Sequence, residues 1–129
     1  MAFGTATVKT NAGFAIITNR IIGAGTEPKF QGIGTGATGA ARTAVAADTA
    51  LSTEVETRGT ASGTRVTTTQ TNDTNQWVLT STATAGRAVD ESMLFDAASA
   101  GNPLISATFP VVNLLTGDGL QNTWKYQQT

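Results

Sequence analysis

The sequence predicts an all-β fold, a single β-sandwich or jelly-roll-like domain, and three observations carry that expectation. Threonine fills 25 of the 129 positions, with 20 alanines and 14 glycines, while Leu, Lys and Glu, the usual helix builders, are scarce. Threonine is β-branched and suits a pleated, half-solvated surface. The second half of the chain alternates apolar and polar residues at period two, and its strand-like runs are separated by turn signals roughly every ten residues.

Taken in order, residues 1–13 alternate small and polar types without a firm apolar face, and are expected to form an extended N-terminal arm that orders against a neighbour. Residues 14–129 are expected to form the sandwich. Phe14 to Ile22 (FAIITNRII) reads as a strand with apolar residues on both faces, as in a strand covered on both sides. Gly23 to Ala47 is dominated by Gly, Thr and Ala and is expected to run over the surface as a loop. Asp48-Thr49-Ala50-Leu51 is compatible with one or two helical turns, with a β reading in competition because Val55 and Thr57 follow.

Ser62 to Thr71 and Gln76 to Thr84 flank the turn-rich Asn72-Asp73-Thr74-Asn75 and predict a hairpin. On its second strand Trp77, Leu79, Ser81 and Ala83 share one face. Ala88 to Ala97 and Leu104 to Val112 are further strands around a turn at Ala100 to Pro103. Thr116-Gly117-Asp118-Gly119 then turns into a closing strand with Leu120, Trp124 and Tyr126 on one side. Trp77, Phe95, Phe109 and Trp124 are the expected core.

A chain of this length holds one core. The net charge of -1, with 13% charged residues, offers no basic stripe for phosphates, so nucleic acid is not an expected partner. The absence of Cys and His removes thiolate chemistry, imidazole bases and most zinc sites. No run approaches ~18 apolar residues and no leader pattern opens the chain, which predicts a soluble, unprocessed protein without a membrane partner.

Gly34, Gly36 and Gly39 spell G-x-G-x-x-G, the lettering of a dinucleotide loop. Such a loop needs a buried strand before it and a second βαβ unit after it. Glu27-Pro28-Lys29-Phe30-Gln31 is no such strand, so the expectation is a close-approach loop and no cofactor. Asp90 and Glu91 are strand neighbours pointing to opposite faces, and Glu54 with Glu56 reads as a solvated pair. Neither pair predicts acid–base catalysis, and hydroxyls without a base predict no nucleophile. Asn72 to Asn75 and Thr116 to Gly119 supply some oxygens for calcium but are read as turns, so no metal and no small-molecule substrate is expected.

An ordered set of segments resembles a family of small structural proteins of tailed bacteriophages. The segments are Ile33-Gly34-Thr35-Gly36, then Asp48-Thr49-Ala50-Leu51 with Glu54 and Arg58, and a Thr-rich hairpin. They continue with Glu91 to Ala97, Thr108-Phe109-Pro110 and a last strand with Thr123-Trp124. The likeness covers about residues 30 to 126. Where many relatives carry Glu-Ala-Gly-Leu-Phe, this chain has Glu91-Ser92-Met93-Leu94-Phe95, and the first 29 residues carry none of the pattern.

The resemblance implies a virion component with a β-sandwich body. Size, the missing catalytic groups and the pattern together favour a capsid decoration, or cement, protein. It would be a homotrimer on the capsid surface, assembled in the host cytoplasm, with the major capsid protein as partner. A tail, fibre or baseplate protein is the nearest alternative, and a host-surface or glycan-binding module the third. On the decoration reading the arm and the Gly/Thr loop contact the shell or sister subunits through Phe3, Val8, Phe30, Ile33, Gly34, Thr35 and Gly36. Deleting residues 1–13 would then weaken attachment and leave the body folded.

Overall fold

The computed structural model of the chain describes residues 6–37 and 42–128. Its strands are β1 (Ala6–Lys9), β2 (Phe30–Gly34), β3 (Glu54–Thr60), β4 (Thr64–Val66), β5 (Thr74–Thr82), β6 (Arg87–Phe95), β7 (Pro103–Leu114) and β8 (Gly119–Gln127), with one helix, α1 (Asn11–Ile21), between β1 and β2. They form two antiparallel sheets, five strands in the order β1-β7-β6-β2-β3 and three in the order β4-β5-β8. The protein is an all-β, sandwich-like domain.

The closing strand and the second strand of the hairpin alternate as predicted, but the hairpin's first strand is only Thr64–Val66, and Thr74 and Asn75, expected in the turn, open β5 and pair with it. On β5 Trp77, Leu79 and Ser81 point inward while Val78 and Thr80 stay in solvent, and Ala83 just beyond is buried. Trp77 is paired with Trp124 across β5 and β8. Between the sheets lie two apolar groups, one around Trp77, Leu79, Leu94, Leu104 and Trp124, the other around Ile33, Val89, Phe109 and Leu120. A third, Leu51, Met93 and Phe95, contains β6 residues that alternate with Leu94, so β6 is covered on both faces.

The first half departs from expectation in four places. Phe14 to Ile21 is the body of α1, not a strand, with Ile22 as its C-cap. Thr10, in extended backbone, accepts the Gly13 N–H at 3.0 Å as N-cap, and Gly23 at φ 74 follows the last turn. Helical spacing buries Gly13 and Ile16, and a Cβ on Gly13 would lie 2.9 Å from the Leu104 carbonyl, so the helix needs glycine to sit on β7.

The segment expected as an arm supplies β1, which pairs with β7 from Ala6↔Thr108 to Lys9↔Ile105. Thr10 is fully buried, donating its N–H to Leu104 O and its hydroxyl to Pro103 O. The Gly/Thr segment contains β2, the strand between β6 and β3, whose Gln31, Gly32, Ile33 and Gly34 are buried rather than on the surface. Asp48 to Leu51 is irregular chain with no helical turn, and Val55 and Thr57 lie in β3, which follows, in keeping with the β alternative.

Candidate functional site

The loop after β2 returns over the outer face of the five-stranded sheet, and its backbone amides close on two adjacent carboxylates of β6. Gly36 and Thr53 donate their N–H groups to Glu91 Oε2 at 3.1 and 2.9 Å, and Ser52 N–H donates to Oε1 at 2.9 Å. Arg42 adds an ion pair to Oε1 at 2.8 Å, and Ala37 N–H donates to Asp90 Oδ1 at 2.9 Å. Burial alone would push the Glu91 carboxyl up. The N–H groups of Thr53 and Ser52, the Arg42 guanidinium and the Gly36 N–H outweigh it and hold the group below the ordinary carboxylate range.

Asp90 and Glu91, expected on opposite faces, therefore serve one loop. The β6–β7 ladder is irregular between Val89 and Glu91, where the partner jumps from Val112 to Thr108. Pro110, which has no N–H to give, lies in that gap, and a bulge re-aims the neighbouring side chains.

The glycines of the G-x-G stretch make room for this arrangement. A Cβ on Gly34 would stand 2.5 Å from Glu91 Oε2 and 2.7 Å from Thr53 O, and one on Gly36 2.8 Å from the Thr53 nitrogen. The amides that would cradle a phosphate are filled by the chain's own carboxylates. Gly39 lies outside the described residues.

Other carboxylates are spent in the same way. Asp48 accepts from Ser106 Oγ, Val45 N and Arg42. Glu54 and Glu56 are not a solvated pair: Glu54 binds Arg58 at 2.7 Å and Glu56 binds Arg87 at 3.1 Å. Arg58 also donates to the carbonyls of Ala97 and Ala100 and stacks 3.6 Å from the Phe95 ring centre, tying β3 to the β6–β7 turn. Glu56, at φ 67, takes the hydroxyl and N–H of Thr84, and those bonds with Arg87 lower its pKa to about 2. Asp73 faces the amides of Gln70, Thr68 and Thr69, which hold it well below the usual range and occupy the oxygens a calcium ion would need. Among the described residues no group of His, Cys, Asp and Glu is placed to hold a metal.

Of the residues expected to touch partners, Ile33 and Gly34 are turned into the protein's own interior. Val8, Phe30, Thr35 and Gly36 are half-buried, and Phe3 lies outside the described residues. Large apolar side chains that do face solvent stand elsewhere, among them Phe14 and Ile21 on α1 and Ile22 at its cap, 59, 76 and 75% exposed. Sequence reasoning missed them because a strand covered on both sides would have hidden these side chains.

Beside that helix a cleft of about 350 Å³ opens at one end of the sandwich. Its floor is Ile16, Leu104 and Trp77, whose indole N–H donates to Glu27 Oε1 at 3.1 Å. Arg20 and Arg65 also line it. No family model matches this chain, and no curated protein or solved structure matches it significantly.

Proposed function

We propose that this chain is a structural protein of a tailed-bacteriophage virion, a capsid decoration protein that self-associates as a trimer and bridges subunits of the major capsid protein. The observation that carries this reading is the exposed apolar face of α1. Three large apolar side chains stand in solvent on one short helix and its cap, on a body whose carboxylates are mostly engaged internally. Large apolar side chains left in solvent in this way fit a permanent contact.

The phage-like motifs support the reading in a particular way. Gly36, Arg42, Asp48, Ser52, Thr53 and Glu91, all within or between the motif segments, knit one internal lock, and Glu54 with Arg58 extends it to Ala97. The pattern thus describes how the body is braced, and the partner-facing surface belongs to α1. The action is mechanical: opening the shell would also require breaking the added interface, and the gain follows mass action on the assembled lattice.

Protein quantification in purified virions tests the assignment. A copy number that scales with capsid subunits supports decoration; a few copies per particle would make it a tail or baseplate component. Ile21→Lys with Ile22→Lys should leave the fold intact and abolish attachment to shells.

A further inference from the structure

The five arginines divide into two groups. Arg42, Arg58 and Arg87 are ion-paired within the chain, whereas Arg20 and Arg65 have no carboxylate partner among the described residues, and both line the cleft beside α1. Among the described residues Arg20 donates only to the carbonyl of Gly25, at 3.0 Å. The cleft therefore pairs an apolar floor with two guanidinium groups and one carboxylate, Glu27, which is engaged by the Trp77 indole N–H and the Gly63 N–H; the lining keeps an excess of positive charge, and its complement is a bulky aliphatic side chain with a carboxylate close by.

The chain carries such a feature at the opposite pole. Leu115, 72% exposed, begins the β7–β8 turn, and Asp118 closes it. The turn is held in shape: Leu115 N–H donates to Asp118 Oδ2 at 2.8 Å, Gly117 sits at φ 91, and Gly117 N and Asp118 O both bond to Ala83. A rigid knob of this kind loses little entropy on docking. Leu104 and Tyr126, in the cleft wall, lie at the start of β7 and the end of β8, so the length of β7 separates knob from cleft, roughly 40 Å at about 3.4 Å per residue. The turn cannot fill its own cleft.

We propose that the cleft receives the Leu115–Asp118 turn of a second copy, with Leu115 on the floor of Ile16, Leu104 and Trp77 and Asp118 between Arg20 and Arg65. Copies then associate head to tail. Such a contact is heterologous, and closes into a ring or continues as a filament according to the rotation between copies. This deepens the proposed function and rests on it only for where the assembly is used.

The test is sedimentation of the full chain and its variants, with circular dichroism as the folding control. The wild-type chain should associate in a concentration-dependent way, and Leu115→Ser or Arg65→Glu should each weaken association roughly tenfold or more. The decisive arm mixes those two variants: one retains its turn, the other its cleft, so together they should form a dimer that grows no further. Because both substitutions are on exposed side chains, the folding control should be unchanged. A wild-type chain that stays monomeric, a Leu115→Ser variant that associates normally, or a mixture with no dimer would each overturn the docking. A monomer still found on virions would overturn this inference and the proposed trimer, and leave attachment to the capsid standing.

Discussion

The Glu91 carboxylate lies against the Gly36 amide, 3.1 Å from N to Oε2, in the space that an anion would take in a glycine-rich loop. The acceptor is supplied from within the chain, by a strand 55 residues further on. A lettering that elsewhere cradles phosphate here fastens the long β2–β3 connection to the outer face of a β-sheet.

Glu91→Gln should therefore be costly although it is nearly isosteric. Both oxygens face only donors, Gly36 and Thr53 on one side and Ser52 and Arg42 on the other, so the amide NH2 meets a donor in either orientation. The expected loss is about 3 kcal/mol, read as a lower urea midpoint. Glu91→Ala should cost at least as much, since Arg42 then loses its buried partner.

Three glycine-to-alanine substitutions should separate by what a Cβ would meet. At Gly59 it would run into the Thr80 carbonyl of the facing sheet, and at Gly34 into Glu91 and the Thr53 carbonyl. Each should cost about 2 kcal/mol or more in denaturant titrations. Gly86, with its nearest neighbour 4.0 Å away and no positive φ, should tolerate alanine within about 0.5 kcal/mol.

Acid should weaken the fold. Glu56 falls from 4.5 to about 2, and Glu91 and Asp73 are also lowered. Folded-state values below the unfolded ones mean that this stability is fully present above the ordinary carboxylate range and is lost as pH falls through the folded values. Urea midpoints should be flat above about pH 5 and decline steadily below it. Asp73→Asn should start from a lower midpoint and show a shallower decline.

The buried polar side chains between the sheets should not be equivalent. Gln31 accepts the Trp124 indole N–H at 2.8 Å and donates to Ser81 and the Leu120 carbonyl. Asn122 makes one long contact, 3.5 Å to Ser92, and its Oδ1 has no hydrogen-bond partner among the described residues. Gln31→Leu should destabilise by about 2 kcal/mol, while Asn122→Leu should be neutral or stabilising, as thermal unfolding of the two variants would show.

The second half of the fold was legible in the sequence because its large side chains alternate. Trp77, Leu79, Leu120 and Trp124 are big enough to mark a buried face at period two. β2 was hidden for the opposite reason. A Cβ on Gly32 would stand 2.9 Å from Phe95 and 3.0 Å from Leu51, so in this layer neighbouring elements supply the bulk and the strand supplies the space. α1 was misread because a run of isoleucines favours strands by propensity, while Thr10 and a seat on β7 decide for the helix. Thr10 before Gly13 and Gly23 after Ile22 were the local signals for it. Pro110 within an apolar strand was the mark of the bulge that joins Asp90 and Glu91 on one loop. The cleft draws on α1, β4, β5, β7 and β8 together and has no local signature.

The decoration reading is tested most directly by a cryo-EM map of virions carrying this chain. The account predicts density for the sandwich on the outer capsid surface where subunits meet, with α1 buried against a neighbour. Density for the chain only in the tail, or α1 facing solvent in a capsid-bound copy, would contradict it.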